Sequence, residues 1–237
     1  MISTHCKANR NPPHVVAVFS FRYDAHLVPA MLANIDPFVD GWVSYDDRGS
    51  DDVFSNETRR RRLLLEAARG LGARWALAID PDERFESSLS REIDVLTAAR
   101  EPRCYTFPVR EMYGREVYRV DGIWGQKRQS RLLPLEHGLL DPREQLHLPW
   151  SYFIPEHTLV STDHNLYHLK MMTRERREGR AALYNFLDPE RRMQTVGYDY
   201  LADDAGAEFE AVPEGRGYHP PHEDDGGLWM ARVDEKA

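Results

Sequence analysis

The sequence predicts an α/β fold: a Rossmann-type, mostly parallel sheet flanked by helices, continued by an antiparallel and irregular half. Three observations predict it. Over residues 15–85, apolar β-favouring runs alternate with helical stretches, the pattern of parallel strands joined by crossovers. Each run ends in polar or acidic residues, at Ser20 to Asp24, Asp46 to Asp52, and Asp80 to Glu83. Those ends then face one edge of the sheet, where open α/β folds bind ligands. Past Pro102 the alternation stops, and aromatic-rich extended stretches take over.

Val15 to Phe19 follows Pro12-Pro13 as a continuous apolar run and reads as the first strand. A helix is expected from about Ala25 to Asn34, with Leu27, Met31 and Leu32 inward and Pro37 closing it. Val39 to Tyr45 reads as the second strand, ending in the acidic turn. Ser55 or Asn56 can cap the next helix, whose inner stripe is Leu63, Leu64, Ala67, Ala68 and Leu71. Gly70 and Gly72 end it. Trp75 to Ile79 is the third strand, stopped at Asp80 because Pro81 cannot donate to a sheet ladder.

A third helix is expected over Leu89 to Ala99, with Ile93 and Leu96 inward. Cys104 to Tyr113 and Glu116 to Val120 read as two strands about a turn at Gly114, and Arg128 to Leu133 as another short strand. Thr158 to Tyr167 reads as one extended stretch. Thr173 can cap a charged helix over Arg174 to Leu187, stopped by Asp188-Pro189, with its arginines read as a solvated face. From Ala202 the chain is acidic and rich in Gly and Pro, and reads as a tail or a flap over the site. His219 and His222 lie in that tail. The expected division is an N-terminal extension 1–14, a ligand-binding α/β half 15–100, a second, antiparallel half of the same domain 101–201 and a tail or flap 202–237.

Composition excludes several classes. The 237 residues suffice for one sizeable domain, and 41% hydrophobic content supports a packed core. No apolar run approaches the roughly 20 residues of a membrane span. Met1 to His14 lacks the apolar core of a signal peptide. Cys6 and Cys104 give no disulfide framework, so a reduced, cytoplasmic setting is expected. A net charge of −8 argues against general nucleic-acid binding.

The chemistry is carried by the acidic strand ends. Asp80 and Asp82, one residue apart, can aim oxygens at a hard cation such as Mg²⁺ or Mn²⁺, which also binds phosphates. Asp-x-Asp alone is common, and an ordinary acidic turn is its plain alternative. Arg59 to Arg62 open the second helix near that edge, where they oppose the helix dipole. Arg59 and Arg62 share a face and are the pair expected to reach a diphosphate. His164 and His168 also share a face, and a histidine returning to the acidic edge is a reasonable third ligand. Tyr113, Tyr118, Trp124 and Trp150 offer stacking surfaces, though core packing is the default for each.

Over residues 15–85 these parts resemble a family 2 glycosyltransferase of the GT-A fold. The matching features are the polar segment Ser20 to Asp24, the Asp46-Asp47-Arg48-Gly49-Ser50-Asp51-Asp52 turn with one extra residue before its serine, the Arg59 to Arg62 helix, and Asp80-Pro81-Asp82-Glu83. The resemblance implies a GT-A-like fold and a nucleotide-diphosphate sugar donor, UDP- or GDP-linked. It also implies dependence on Mn²⁺ or Mg²⁺ and an inverting displacement. Ser20, Asp24, Asp47, Arg59, Arg62 and Asp80 would serve the donor. Asp47 would contact the base or ribose, and Asp80 the ribose or the metal through water. Asp82 would ligate the metal directly, and His168 would return to it from downstream.

Glycosyl transfer also needs a group to take the acceptor hydroxyl proton. Asp121, in Val120-Asp-Gly-Ile-Trp124, is the expected base, with Glu83 and Asp163 as alternatives. Before a glycine it also reads as a plain turn residue. The acceptor is open between a saccharide, a lipid-linked molecule and a small molecule. The rival readings are a metal-dependent nucleotidyltransferase and a non-catalytic nucleotide-sugar-binding protein. The first would usually carry a Gly-rich loop after the first strand, and Ser20 to Asp24 has no glycine.

Overall fold

The computed structural model describes residues 1–8, 12–49, 57–143, 148–223 and 227–233. The expected cap at Ser55 or Asn56, and Ser50 to Asp52 of the second acidic turn, lie outside the described residues. The strands are β1 Ile2–Cys6, β2 Val15–Phe21, β3 Gly41–Asp46, β4 Trp75–Ala78, β5 Glu83–Phe85, β6 Arg103–Glu111, β7 Val117–Arg119, β8 Arg128–Pro134, β9 Thr158–Ser161, β10 Leu166–His168 and β11 Phe209–Ala211. The α-helices are α1 Val28–Ile35, α2 Glu57–Gly70, α3 Ile93–Thr97 and α4 Arg174–Leu187. No described helix is long and apolar enough to cross a membrane.

The main sheet runs β1-β3-β2-β4-β8-β6-β10-β5, with β9 also paired to β6. β2 is parallel to both β3 and β4, the unit expected from the first 85 residues. β8 is antiparallel to β4 and to β6. Both β9 and β10 are parallel to β6, and β5 runs antiparallel to β10. The fold is therefore α/β, with a strand-rich sheet that combines parallel and antiparallel pairings. Because β4 pairs with β8, the two expected halves share a single sheet.

β2 is buried on both faces, which is why its sequence is continuously apolar. Val15, Ala17 and Phe19 pack with Met31 and Ile35 of α1. Val16 and Val18 pack with Leu64, Leu65 and Ala68 of α2. The helices thus cover opposite faces of the parallel unit. Leu64, Ala67, Ala68 and Leu71 pack as their spacing predicts, while Leu63 is only half-buried and Leu65 is buried in its stead.

Four expectations are corrected. The polar N-terminal extension contributes β1, an exposed edge strand antiparallel to β3. The third helix is only α3, because a 3-10 turn occupies Ser87–Arg91 before it. The expected hairpin around Gly114 reduces to one bridge, Met112 to Tyr118, while β7 pairs with β11 from the tail. The stretch Thr158 to Tyr167 breaks into β9 and β10, laid in series along β6.

Candidate functional site

A cleft of about 740 Å³ opens at the carboxyl ends of β2, β3 and β4. Its far wall comes from β8, α4 and the segment Trp229 to Ala231. Ser20, Asp24, Asp47, Asp80, Asp82 and His168 all line it.

The turn after β4 is built by its own sequence. Glu83 N donates to Asp80 O at 2.9 Å, closing a four-residue turn with proline at its second position. Asp80 N in turn donates to Glu83 Oε2 at 3.0 Å. Arg84, fully buried, donates to Pro81 O at 2.7 Å. Leu169 N donates to Asp82 O at 2.8 Å, which ties the turn to the end of β10. Asp82 is thereby held facing His168.

Around Asp82 the charges form one connected cluster. His168 Nε2 lies 3.3 Å from Asp82 Oδ2, and Lys170 Nζ lies 3.6 Å from the same oxygen. His168 Nδ1 meets Glu111 Oε2 at 2.6 Å, and Lys127 donates to Glu111 Oε1 at 2.6 Å. Burial alone would raise the Asp82 carboxyl, but Lys170 and His168 hold it well below the usual carboxylate range. Burial likewise opposes the His168 imidazolium, yet Glu111 and Asp82 push it up to about 9.

Arginines meet the carboxylates at the ends of β3 and β4. Arg60 donates to Asp47 Oδ2 at 3.1 Å, and Arg22 donates to Asp47 O at 3.1 Å. Arg131, buried in β8, donates to Asp80 Oδ2 at 3.0 Å and also grips Glu83. Asp24 Oδ1 accepts from Arg22 N at 3.0 Å, and burial together with nearby Asp82 pushes this carboxyl up to about 6. Arg61 lies over the Trp150 ring, 4.8 Å from its centroid, along the cleft wall.

No protein-family model matches the chain, and no curated protein matches it. What the site can do therefore rests on its residues.

Three expected site residues fall outside the cleft. Arg59 is exposed and does not line it. Arg62 is taken up at the surface by Glu66 at 2.8 Å and by Asp141. The packed stripe of α2 turns Arg60 and Arg61 inward instead. Asp121 sits in a separate depression beside Trp124 and Tyr200, where Arg119 binds it at 2.6 and 2.9 Å. That hydrogen-bonded arginine lowers the Asp121 carboxyl, the wrong direction for a base. Of the alternatives, Glu83 is buried against Arg131, and the exposed Asp163 does not line the cleft.

Glu111, Arg131, Lys170 and Arg180 were not singled out by spacing. Lys170 follows His168 by two residues, a signal the sequence offered. Of the α4 arginines Arg174 is solvated as expected, but Arg176, Arg177 and Arg180 are not. Arg176 stacks 3.4 Å from the centroid of Trp229, and Arg177 donates to Asp204 at 3.0 Å. Arg180, four residues after Arg176, shares its helix face and lines the cleft.

Asp82 and His168 are the two residues that could hold a divalent cation. Asp82 Oδ2 is buried without a hydrogen-bond partner, and His168 Nε2 is near it but misaligned for such a bond. Glu111 behind the other ring nitrogen is the support a metal-bound histidine usually has. Among the described residues no cluster of three His, Cys, Asp or Glu side chains surrounds this point. An ion there would complete its shell with ligand phosphates and water, as Mg²⁺ commonly does.

Proposed function

We propose that this chain is a glycosyltransferase of GT-A-like architecture, moving a sugar from a UDP- or GDP-linked donor to an acceptor hydroxyl. One observation carries the reading. Asp47, Asp80 and Asp82, from the ends of two parallel strands, share a cleft with His168 facing Asp82. The volume of about 740 Å³ suits a ligand of nucleotide-sugar size.

Asp47, fixed by Arg60, would accept hydrogen bonds from the nucleotide base or ribose. Asp80, held by Arg131, would lie against the ribose. Trp150, backed by Arg61, offers a flat apolar wall to a ring. Asp82 and His168 would hold Mn²⁺ or Mg²⁺, whose charge stabilises a leaving diphosphate. In the transfer, the acceptor oxygen bonds to the anomeric carbon. The diphosphate leaves with the bond's electron pair, and the hydroxyl proton passes to a base. Displacement of Asp121 from the cleft and locking of Glu83 by Arg131 favour one second reading, a nucleotide-sugar binder without turnover.

Calorimetric titration with UDP and GDP, with and without Mn²⁺, tests the reading. Binding of one nucleotide that Mn²⁺ strengthens, with that gain lost in Asp82→Ala, is the expected result. No binding of either nucleotide under any condition would reject it. Nucleotide release from a UDP- or GDP-sugar then separates the enzyme from the binder.

A further inference from the structure

We infer that Lys170 and Arg180 form an anion site for a pyrophosphoryl group, one that works without a metal ion. Both line the cleft, from the 3-10 turn after β10 and from α4. Arg180 Nε and Nη1 are shut off from solvent and have no hydrogen-bond partner. The ring of Tyr184 lies beside it, with its centroid 5.5 Å from the guanidinium carbon. A buried guanidinium with two unmade hydrogen bonds is costly unless a ligand completes it. Its flat fork suits phosphate oxygens.

Among the described residues Lys170 pairs with Asp82, at 3.6 Å, so it can turn to a phosphate without breaking a short bond. The inference deepens the proposed function and rests on it for the natural source of the phosphate, a nucleotide diphosphate. The site itself rests on the two cations.

The test uses the full chain and inorganic pyrophosphate, titrated calorimetrically in EDTA. Pyrophosphate is expected to bind the metal-free protein, and Arg180→Gln to weaken it at least tenfold. Arg180→Lys, which keeps the charge and the helix, is expected to retain part of the affinity. Asp82→Asn removes the carboxylate competing for Lys170. It is expected to leave metal-free binding equal or tighter while abolishing any gain from Mn²⁺. Absence of metal-free binding, or binding indifferent to Arg180→Gln in a folded variant, would overturn the site. Pyrophosphate binding that depends on Arg180, with UDP and GDP both inert, would uphold the site and sink the nucleotide-sugar reading.

Discussion

Asp24 is the cleft carboxyl with the least compensation. Asp47 and Asp80 are each met by an arginine, whereas the hydrogen bond resolved to Asp24 comes from a backbone N–H. Burial and the charge of Asp82 push it up to about 6, above an unfolded value near 3.8. A carboxyl shifted upward favours the fold fully below its unfolded pKa. That advantage is lost as pH rises through the folded one. Asp24→Asn should therefore stabilise the protein at pH 8 and change little at pH 4. About 3 kcal/mol is the ceiling from the shift alone, reduced by partial exposure. Denaturant midpoints at both pH values check this, and an equal change at each would contradict it. The two thiols differ in the same residue-level way. Cys6 is exposed, while burial pushes Cys104 up to about 12. One thiol per chain should react quickly with a thiol reagent at pH 8 under native conditions, and two in denaturant.

Among the elements, β1 depends on its neighbour's lack of a side chain. A Cβ at Gly41 would lie 2.3 Å from His5 O. Gly41→Ala should cost about 1–3 kcal/mol or release β1 from β3. Faster amide exchange over Ile2–Cys6 than in the native chain would show the release. Unchanged stability together with unchanged exchange would refute the close approach. The parallel unit β3–β2–β4 was legible because strands buried on both faces must be continuously apolar, and because their ends are acidic. β1 was not legible, since an exposed edge strand carries no apolar run. β5 and β11 were illegible for another reason. Each has three residues and takes its register from a distant partner; β7 was legible as a strand, but its pairing of Val117 with Ala211 was not. The phase of α2 explains the misread arginines. Spacing showed that Arg59 and Arg62 share a face, but only packing of Leu64, Leu65 and Ala68 decides which face meets the cleft.

Across the molecule, the tail closes what the parallel unit opens. Trp229 is buried between His26, before α1, and Arg176 on α4, with ring centroids 5.8 Å apart to His26 and the guanidinium at 3.4 Å. Arg176 also donates to Gly227 O at 2.7 Å. Farther back, Arg216 grips Glu86 at 2.9 Å, and Tyr167 Oη donates to Arg216 O at 2.7 Å. The segment 227–233 joins no strand, so its attachment rests on side chains rather than on a ladder. Losing a buried tryptophan costs about 3–5 kcal/mol in a core. Here the cost should surface as local opening, because the backbone it holds is not part of the sheet. Trp229→Ala should therefore raise amide exchange over 227–233 strongly while β2 and β4 stay protected. Because Trp229 to Ala231 wall the cleft beside α4, ligand affinity should fall together with that protection. A variant that loses protection evenly across the sheet would mean that the tail is part of the core rather than a wall placed over it.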